Sequence, residues 1–186
     1  MSVLSDQDIA RELAYGELDV SPVDLEKQLQ PNSLDIRLGN NVSAISESNI
    51  PLDVKEEIDE KDTIDYDFSD QRYILLDTDD FILADTVERF NIPDYLYGQL
   101  NGRSSLARFG IEIHSTGGVI DSGFEGDLVL EISNNSPRPI KLYPGMRVAQ
   151  VIFHQLSSKC NNPYSAKDNK YQGQSGVVHS RINEEL

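Results

Sequence analysis

Residues 101–131 read NGRSSLARFGIEIHSTGGVIDSGFEGDLVLE. Arg103 and Arg108 flank Ser104 and Ser105, so cations and hydroxyl donors of the kind a polyphosphate needs stand close together. A Gly117-Gly118 pair then turns the chain ahead of Asp121. The stretch closes on an alternating apolar run whose last residue is Glu131, which predicts a strand carrying a carboxylate. A strand holds such a group rigidly, as proton-transfer chemistry requires.

Outward from this stretch the period of two recurs. SLDIRLG from residue 33, RYILLD from 72, DFILADTVERF from 80, LYGQLNG from 96, RPIKLYPG from 138 and RVAQVIF from 147 all alternate, with Pro and Gly at nearly every join. Many short strands at regular spacing predict a mainly β sandwich or barrel rather than a parallel α/β sheet. Before them, Ser5-Asp6-Gln7-Asp8 has the form of a helix N-cap, and Ile9 and Leu13 share a face, so a helix is expected over residues 5–15 with Gly16 as its stop. A further helical turn is expected over residues 23–28, ahead of Pro31.

At 186 residues the chain suits one domain with a real core. Its 32 Asp and Glu against 16 Lys and Arg leave a formal charge of -16, which repels nucleic-acid phosphates. A small anionic nucleotide can bind only where local cations and a metal ion overturn that field. Cys160 is the single cysteine, which excludes an internal disulfide framework and a cysteine-based zinc site. The N-terminus has no signal-like pattern and no apolar run has the length of a membrane span, so a cytoplasmic protein without membrane contact is expected. Residues 53–70 gather Asp53, Glu56, Glu57, Asp59, Glu60, Asp62, Asp65, Asp67 and Asp70. Their spacing fits no calcium loop, and the run reads as a solvated, variable loop. The tail from residue 166 is polar and rich in Gly and Gln, a composition that by itself predicts disorder.

The segments Gly102 to Arg108, His114 to Gly126 and Val129-Leu130-Glu131 resemble, in that order, the G-[RK]-S-S-L-[AG]-R, H-x-T-A-x-x-I-D-x-G-[FWY]-x-G and T-L-E motifs of the dCTP deaminase family in the dUTPase-like superfamily. LSDQDI from residue 4 and QPNSLDIRLG from residue 30 are similar to the family's opening, and PGMRVAQVIF from 144 and KYQGQSG from 170 to its closing segments. The likeness covers nearly all of residues 1–186 as a single domain, apart from a divergent acidic insertion at 41–72. It implies a distorted β-barrel or jelly-roll-like dUTPase fold with short N-terminal helices, a homotrimer with sites between subunits, and a C-terminal segment, 163–186, that closes over the nucleotide.

The resemblance also distributes roles. Glu131 would be the catalytic acid/base, with Arg108 polarising the water beside it or binding phosphate. Arg103, Ser104 and Ser105, with the backbone of Leu106 and Ala107, would hold phosphates. Asp121 would meet the 3′-hydroxyl of the sugar, a bond a carboxylate accepts well. Gly117, Val129, Leu130, Gln150, Tyr164, Lys170 and Gln174 complete the expected nucleotide contacts. Mg²⁺ would ride on the triphosphate. Zinc-dependent base deaminases use H-x-E with P-C-x-x-C, and this chain has neither. His114 reads as a hydrogen-bonded structural histidine. Phe124 is open between stacking near the sugar and packing into the core. Gly117 stands where relatives carry alanine, a change that loosens the turn. Three activities follow from the resemblance: a dCTP deaminase making dUTP and ammonia, a bifunctional enzyme continuing to dUMP and diphosphate, and a silent nucleotide-binding regulatory module. Gly118 and Phe124 lean toward the bifunctional type. Binding of dUTP and dTTP belongs to the same expectation.

Overall fold

A computed structural model of the chain describes residues 2–69, 72–166 and 169–185. Among the described residues, three α-helices, Asp6–Tyr15 (α1), Leu25–Gln28 (α2) and Ser104–Ala107 (α3), and 3-10 turns at Tyr164–Ala166 and Ile182–Glu185 accompany an antiparallel β structure. Its strands up to the middle of the chain are Ser2–Val3 (β1), Asp19–Ser21 (β2), Leu29–Gln30 (β3), Ser33–Ile45 (β4), Thr63–Asp67 (β5), Ile74–Leu76 (β6) and Phe81–Asn91 (β7). Leu96–Gly102 (β8), Ile111–Ile113 (β9), Val119–Ile120 (β10), Glu125–Asn134 (β11), Ile140–Leu142 (β12) and Arg147–Gln155 (β13) follow. The expected mainly β architecture is what forms.

The strands order as β10-β8-β13-β4-β7-β11-β9 in one curled sheet, with β1, β2, β3 and β5 on its flanks and β12 paired to β6. Every pairing along this path is antiparallel, and no two neighbours in it follow one another in sequence, so the sheet is closed by long-range pairings rather than by hairpins. Alternation then sorts the side chains. Val42, Ala84, Leu130 and Ile132 lie on one face of the β4–β7–β11 sheet and are almost wholly buried. Ser43, Leu83 and Glu131 stand opposite one another across the same strands and therefore share the other face. The core lies on the first face; the second is free to carry chemistry.

The N-terminal helix forms where its cap predicts. Ser5 Oγ accepts from the Asp8 amide at 3.3 Å, the Asp8 carboxylate accepts from the Ser5 amide at 3.2 Å, and Gly16 is the C-cap. α2 forms inside the expected 23–28 segment. The acidic run needs a correction, because it is not loop throughout. Thr63–Asp67 is an edge strand paired with Asn41–Ile45 of β4, and those β4 residues are themselves a continuation of the strand expected only to residue 39. An edge strand is wet on both sides, so its charged sequence hides it. Asp70 of that run lies outside the described residues, as do residues 167–168 and 186 of the tail.

Candidate active site

A cavity of about 600 Å³ opens on the face that carries Glu131. Its floor comes from β7 and β11 through Phe81, Leu83, Val129 and Glu131, and one wall from the turn Gly117-Gly118 running into Asp121. The tail forms the roof through Tyr171, Gln174, Val178 and His179. Among the described residues, the carboxylates of Glu131 and Asp121 have no hydrogen-bond or ion-pair partner. Glu131 is half-buried and Asp121 exposed. An unpaired acid on a rigid strand, at the edge of an enclosed space, is free to take and return a proton.

The turn before Asp121 is tied to Glu131 through the backbone. His114 has φ +60 and its amide donates to the Glu131 carbonyl at 2.8 Å. The expectation of a fully hydrogen-bonded His114 is not met: its Nδ1 is buried with no partner among the described residues. Gly117 has φ +23, and a Cβ there would find only His114 Nε2, at 3.5 Å. The missing methyl therefore leaves open space beside the imidazole.

Two glycines let the tail lie down. A Cβ on Gly123, whose φ is +84, would meet Pro163 Cβ at 2.6 Å, and one on Gly126, at φ +153, would press on Gln174 at 3.1 Å. Phe124 between them is buried, lines the cavity and packs edge-on against Tyr164 at 5.9 Å. The ring thus belongs to both core and cavity. The Tyr164 hydroxyl accepts from the Tyr171 amide at 3.3 Å, and its amide donates to the Ser122 carbonyl at 2.7 Å. Burial pushes the Tyr164 phenol above 10.0, and the charge of Asp121 adds to the rise. Gln174 Nε2 donates to the Asp127 carbonyl at 2.6 Å, while Arg89 Nη1 and the Asp127 amide both donate to the Gln174 carbonyl at 3.1 Å. The Gly176 amide donates to Asp127 Oδ2 at 2.9 Å. The polar tail is held by hydrogen bonds to β7 and β11 and by Tyr164 and Tyr171 packed against the core.

The expected site residues fall into two groups. Gly117, Asp121, Val129, Glu131, Tyr164 and Gln174 line the cavity together. Leu130 is fully buried on the core face, so only its backbone can serve the site. Arg103, Ser104, Ser105, Leu106, Ala107, Arg108 and Gln150 are not in the cavity of their own chain. They sit on and beside α3, where β8 and β13 pair through Asn101 and Gln150. Leu106 is buried and anchors α3 by its side chain, while Ser104, Ser105 and Arg108 are exposed and make no side-chain hydrogen bond or ion pair among the described residues. Arg103 is engaged: it pairs with Asp35 at 3.3 Å and donates to the Arg147 carbonyl at 3.1 Å. Burial pushes the Asp35 carboxyl above 3.8, against the pull of Arg103 and Arg147. Gln150 Oε1 accepts from Ser33 Oγ at 3.4 Å. Lys170 is paired with Glu185 at 2.6 Å, away from the cavity.

Sequence reasoning missed Leu83, Phe81, Tyr171 and His179. The strand register that puts Leu83 beside Glu131 has no local signal, and His179 stands in a segment without periodicity. No three His, Cys, Asp or Glu among the described residues come together in a metal-binding arrangement. Among the described residues, no helix is long and apolar enough to cross a membrane.

Fold and cavity define a class: curled antiparallel-sheet proteins whose pocket lies on a sheet face under the C-terminal segment. Residues 3–156 match the sequence profile described as dCTP deaminase-like, and the chain belongs to that family. It is 38% identical to a protein of Methanosphaera stadtmanae named dCTP deaminase, dUMP-forming, over 195 residues that cover 100% of this chain and 96% of that one. It is 41% identical to a dCTP deaminase of Halorubrum lacusprofundi over 184 residues, covering 97% and 91%. The crystal structure of 2′-deoxycytidine 5′-triphosphate deaminase from Agrobacterium tumefaciens superposes with a TM-score of 0.62 at 29% identity, over 81% of this chain and 47% of that one. The chain thus spans about half the length of that solved protein.

Proposed function

We propose that the protein deaminates dCTP hydrolytically to dUTP and ammonia. The observation that carries the reading is the free carboxylate of Glu131, half-buried on β11 at the cavity floor. In this reaction water oxygen bonds to C4 of cytosine while Glu131 takes the water's proton and passes it to N3. The tetrahedral centre then collapses: the proton of the new C4 hydroxyl passes, by way of the carboxylate, to N4, the C4–N4 bond breaks to release ammonia, and C4 keeps the oxygen as a carbonyl. One carboxyl group serves as base and then as acid. In this reading main-chain groups of the turn at residues 115–118 read the base, Asp121 accepts from the sugar 3′-hydroxyl, and Phe124 backs the sugar; the presence of Gly117, Gly118, Asp121 and Phe124 in the cavity lining supports it.

The triphosphate needs cations, and no Lys or Arg among the described residues lines the cavity. Ser104, Ser105 and Arg108 are exposed and unpaired on α3, and Phe109 and Val119 expose 68% and 61% of their surface nearby in sequence. This supports a homotrimer in which α3 of one copy brings phosphate ligands, and Arg108 near Glu131, to the cavity of the next. The nucleotide enters as its Mg²⁺ complex, so the cation comes with the substrate, consistent with the preference of Mg²⁺ for phosphate oxygens and retained water.

A second reading adds diphosphate release to give dUMP. Asp121 favours it, because a second unpaired carboxylate borders the same cavity and can orient a water toward the α-phosphate. Incubation with dCTP and Mg²⁺ separates the cases by product. Ammonia with dUTP supports deamination alone, ammonia with dUMP and diphosphate supports both steps, and tight binding without turnover sinks the enzymatic reading. Glu131→Gln should lower ammonia release at least 10³-fold, on the order expected for loss of a general acid/base, while nucleotide affinity changes only a few-fold.

A further inference from the structure

Two of the tail's ties bear on the cavity's roof, and only the first is explained by its Gly/Gln composition. At the first, Gln174 and Gly176 hold Asp127 on β11. At the second, His179 Nε2 lies 2.8 Å from Ser43 Oγ on β4. Ser43 is 1% exposed, so this hydroxyl is tied into the sheet rather than offered to water. Strand register makes the placement informative. Ser43 pairs with Leu83 and Leu83 with Glu131, so the three form one row across β4, β7 and β11 on the cavity face. Two strand spacings separate the ends of the row, about 10 Å. The tail thus runs from its anchor at Asp127 on β11, four residues before Glu131, to Ser43 on β4, and Val178, His179 and Ser180 line the cavity that Glu131 also lines.

We propose that His179 is a positioning residue for the nucleotide site, acting through Ser43. It fixes the far end of the roof over Glu131. This rests on reading the cavity as the nucleotide site. The imidazole has no other polar tie: His179 Nδ1 is buried without a partner among the described residues. Losing the Ser43 hydroxyl would leave both ring nitrogens bare, and the tail would release rather than keep them buried. With the first anchor intact the tail would still reach Asp127, but the segment over the floor would swing free, and bound nucleotide would lose its cover.

His179→Phe keeps the ring's bulk without a nitrogen, whereas His179→Gln keeps an amide nitrogen near the position of Nε2. We expect His179→Phe and Ser43→Ala each to raise the KM for dCTP about fivefold to tenfold, the loss of one buried hydrogen bond, with kcat within about twofold. His179→Gln should recover most of that affinity, and the Ser43→Ala/His179→Phe double variant should be no worse than either single one. Limited trypsin digestion of the nucleotide-free protein reads the same tether without turnover. Cleavage after Arg181 should accelerate severalfold in His179→Phe and Ser43→Ala, and no further in the double variant. Wild-type behaviour of His179→Phe in both assays, or additive effects in the double variant, overturns the proposal. A fall in kcat at unchanged KM overturns it too. If wild-type protein does not turn over dCTP, the functional reading falls alone, and the digestion still decides the tether.

Discussion

Asp85 on β7 is an acid kept where water hardly reaches, 6% exposed, beside a second acid. The Asn41 amide donates to its Oδ1 at 3.0 Å, and the Asn41 side-chain amide donates to Oδ2. Burial outweighs those bonds and pushes its carboxyl above 3.8, with the charge of Asp127 pushing the same way. An acid whose folded pKa is raised favours the native state while it is protonated. That contribution is complete below 3.8 and is lost as pH climbs through the raised value. Asp85→Asn removes the titration. Urea unfolding at several pH values between about 4 and 7 should therefore show wild-type stability falling relative to Asp85→Asn as pH rises. A difference that is flat with pH, or widens toward acid in the opposite sense, contradicts the assignment. At this scale the chemistry was legible and the neighbourhood was not. Glu131 and Asp121 could be chosen from motif and residue type, because the reaction needs carboxylates. His179 and Leu83 could not, because their importance comes from which residues stand opposite one another.

Strand β4 is the element on which the site is hung. It pairs with β13 on one side and β7 on the other, and its successive residues serve different ends: Asp35 holds Arg103, Arg37 meets Glu88, and Ser43 holds His179. The Glu88 tie is the most enclosed. Its carboxylate is fully buried and accepts from the Arg37 amide at 2.9 Å, Arg37 Nε at 2.6 Å and Gln28 Nε2 at 2.8 Å, so α2, β4 and β7 converge on it. Glu88→Ala leaves the Arg37 amide without this acceptor and Gln28 Nε2 with only the Asp35 carbonyl, at 2.8 Å, and should cost about 3 kcal/mol or more in urea unfolding. A loss under about 1 kcal/mol would mean that solvent replaces the carboxylate freely. The first half of β4 announced itself by alternation, whereas Asn40-Asn41 broke the pattern and hid its extension to Ile45. There the asparagine side chain answers a buried acid on the next strand, a demand no window of one strand contains. β5 stayed hidden for the opposite reason, being an edge strand that buries little.

Across the whole molecule, the proposed site residues divide into a carboxylate half and a cation half that one chain does not bring together. Glu131, Asp121 and the tail line the cavity, while Ser104 and Ser105 on α3 and Arg108 at its end are exposed and do not line it. A chain of net charge -16 gains most from this division if α3 of a second copy supplies the positive charge where the triphosphate lies. The arrangement makes a quantitative prediction. Glu131→Gln and Arg108→Ala should each be inactive as pure proteins. When the two are co-expressed, subunits mix, and a site is intact wherever an Arg108→Ala subunit supplies Glu131 to a cavity completed by a Glu131→Gln subunit. Random mixing at equal amounts makes that true of roughly a quarter of the interfaces in a cyclic trimer. Ammonia release should therefore return to roughly a quarter of the wild-type rate per subunit, with both products separately silent. If both residues acted within one chain, mixing would restore nothing, because each subunit would carry a broken site of its own. Recovery well above the noise of the single variants thus decides between a shared and a private site, and zero recovery from verified mixed oligomers removes Arg108 of the neighbouring copy from the chemistry.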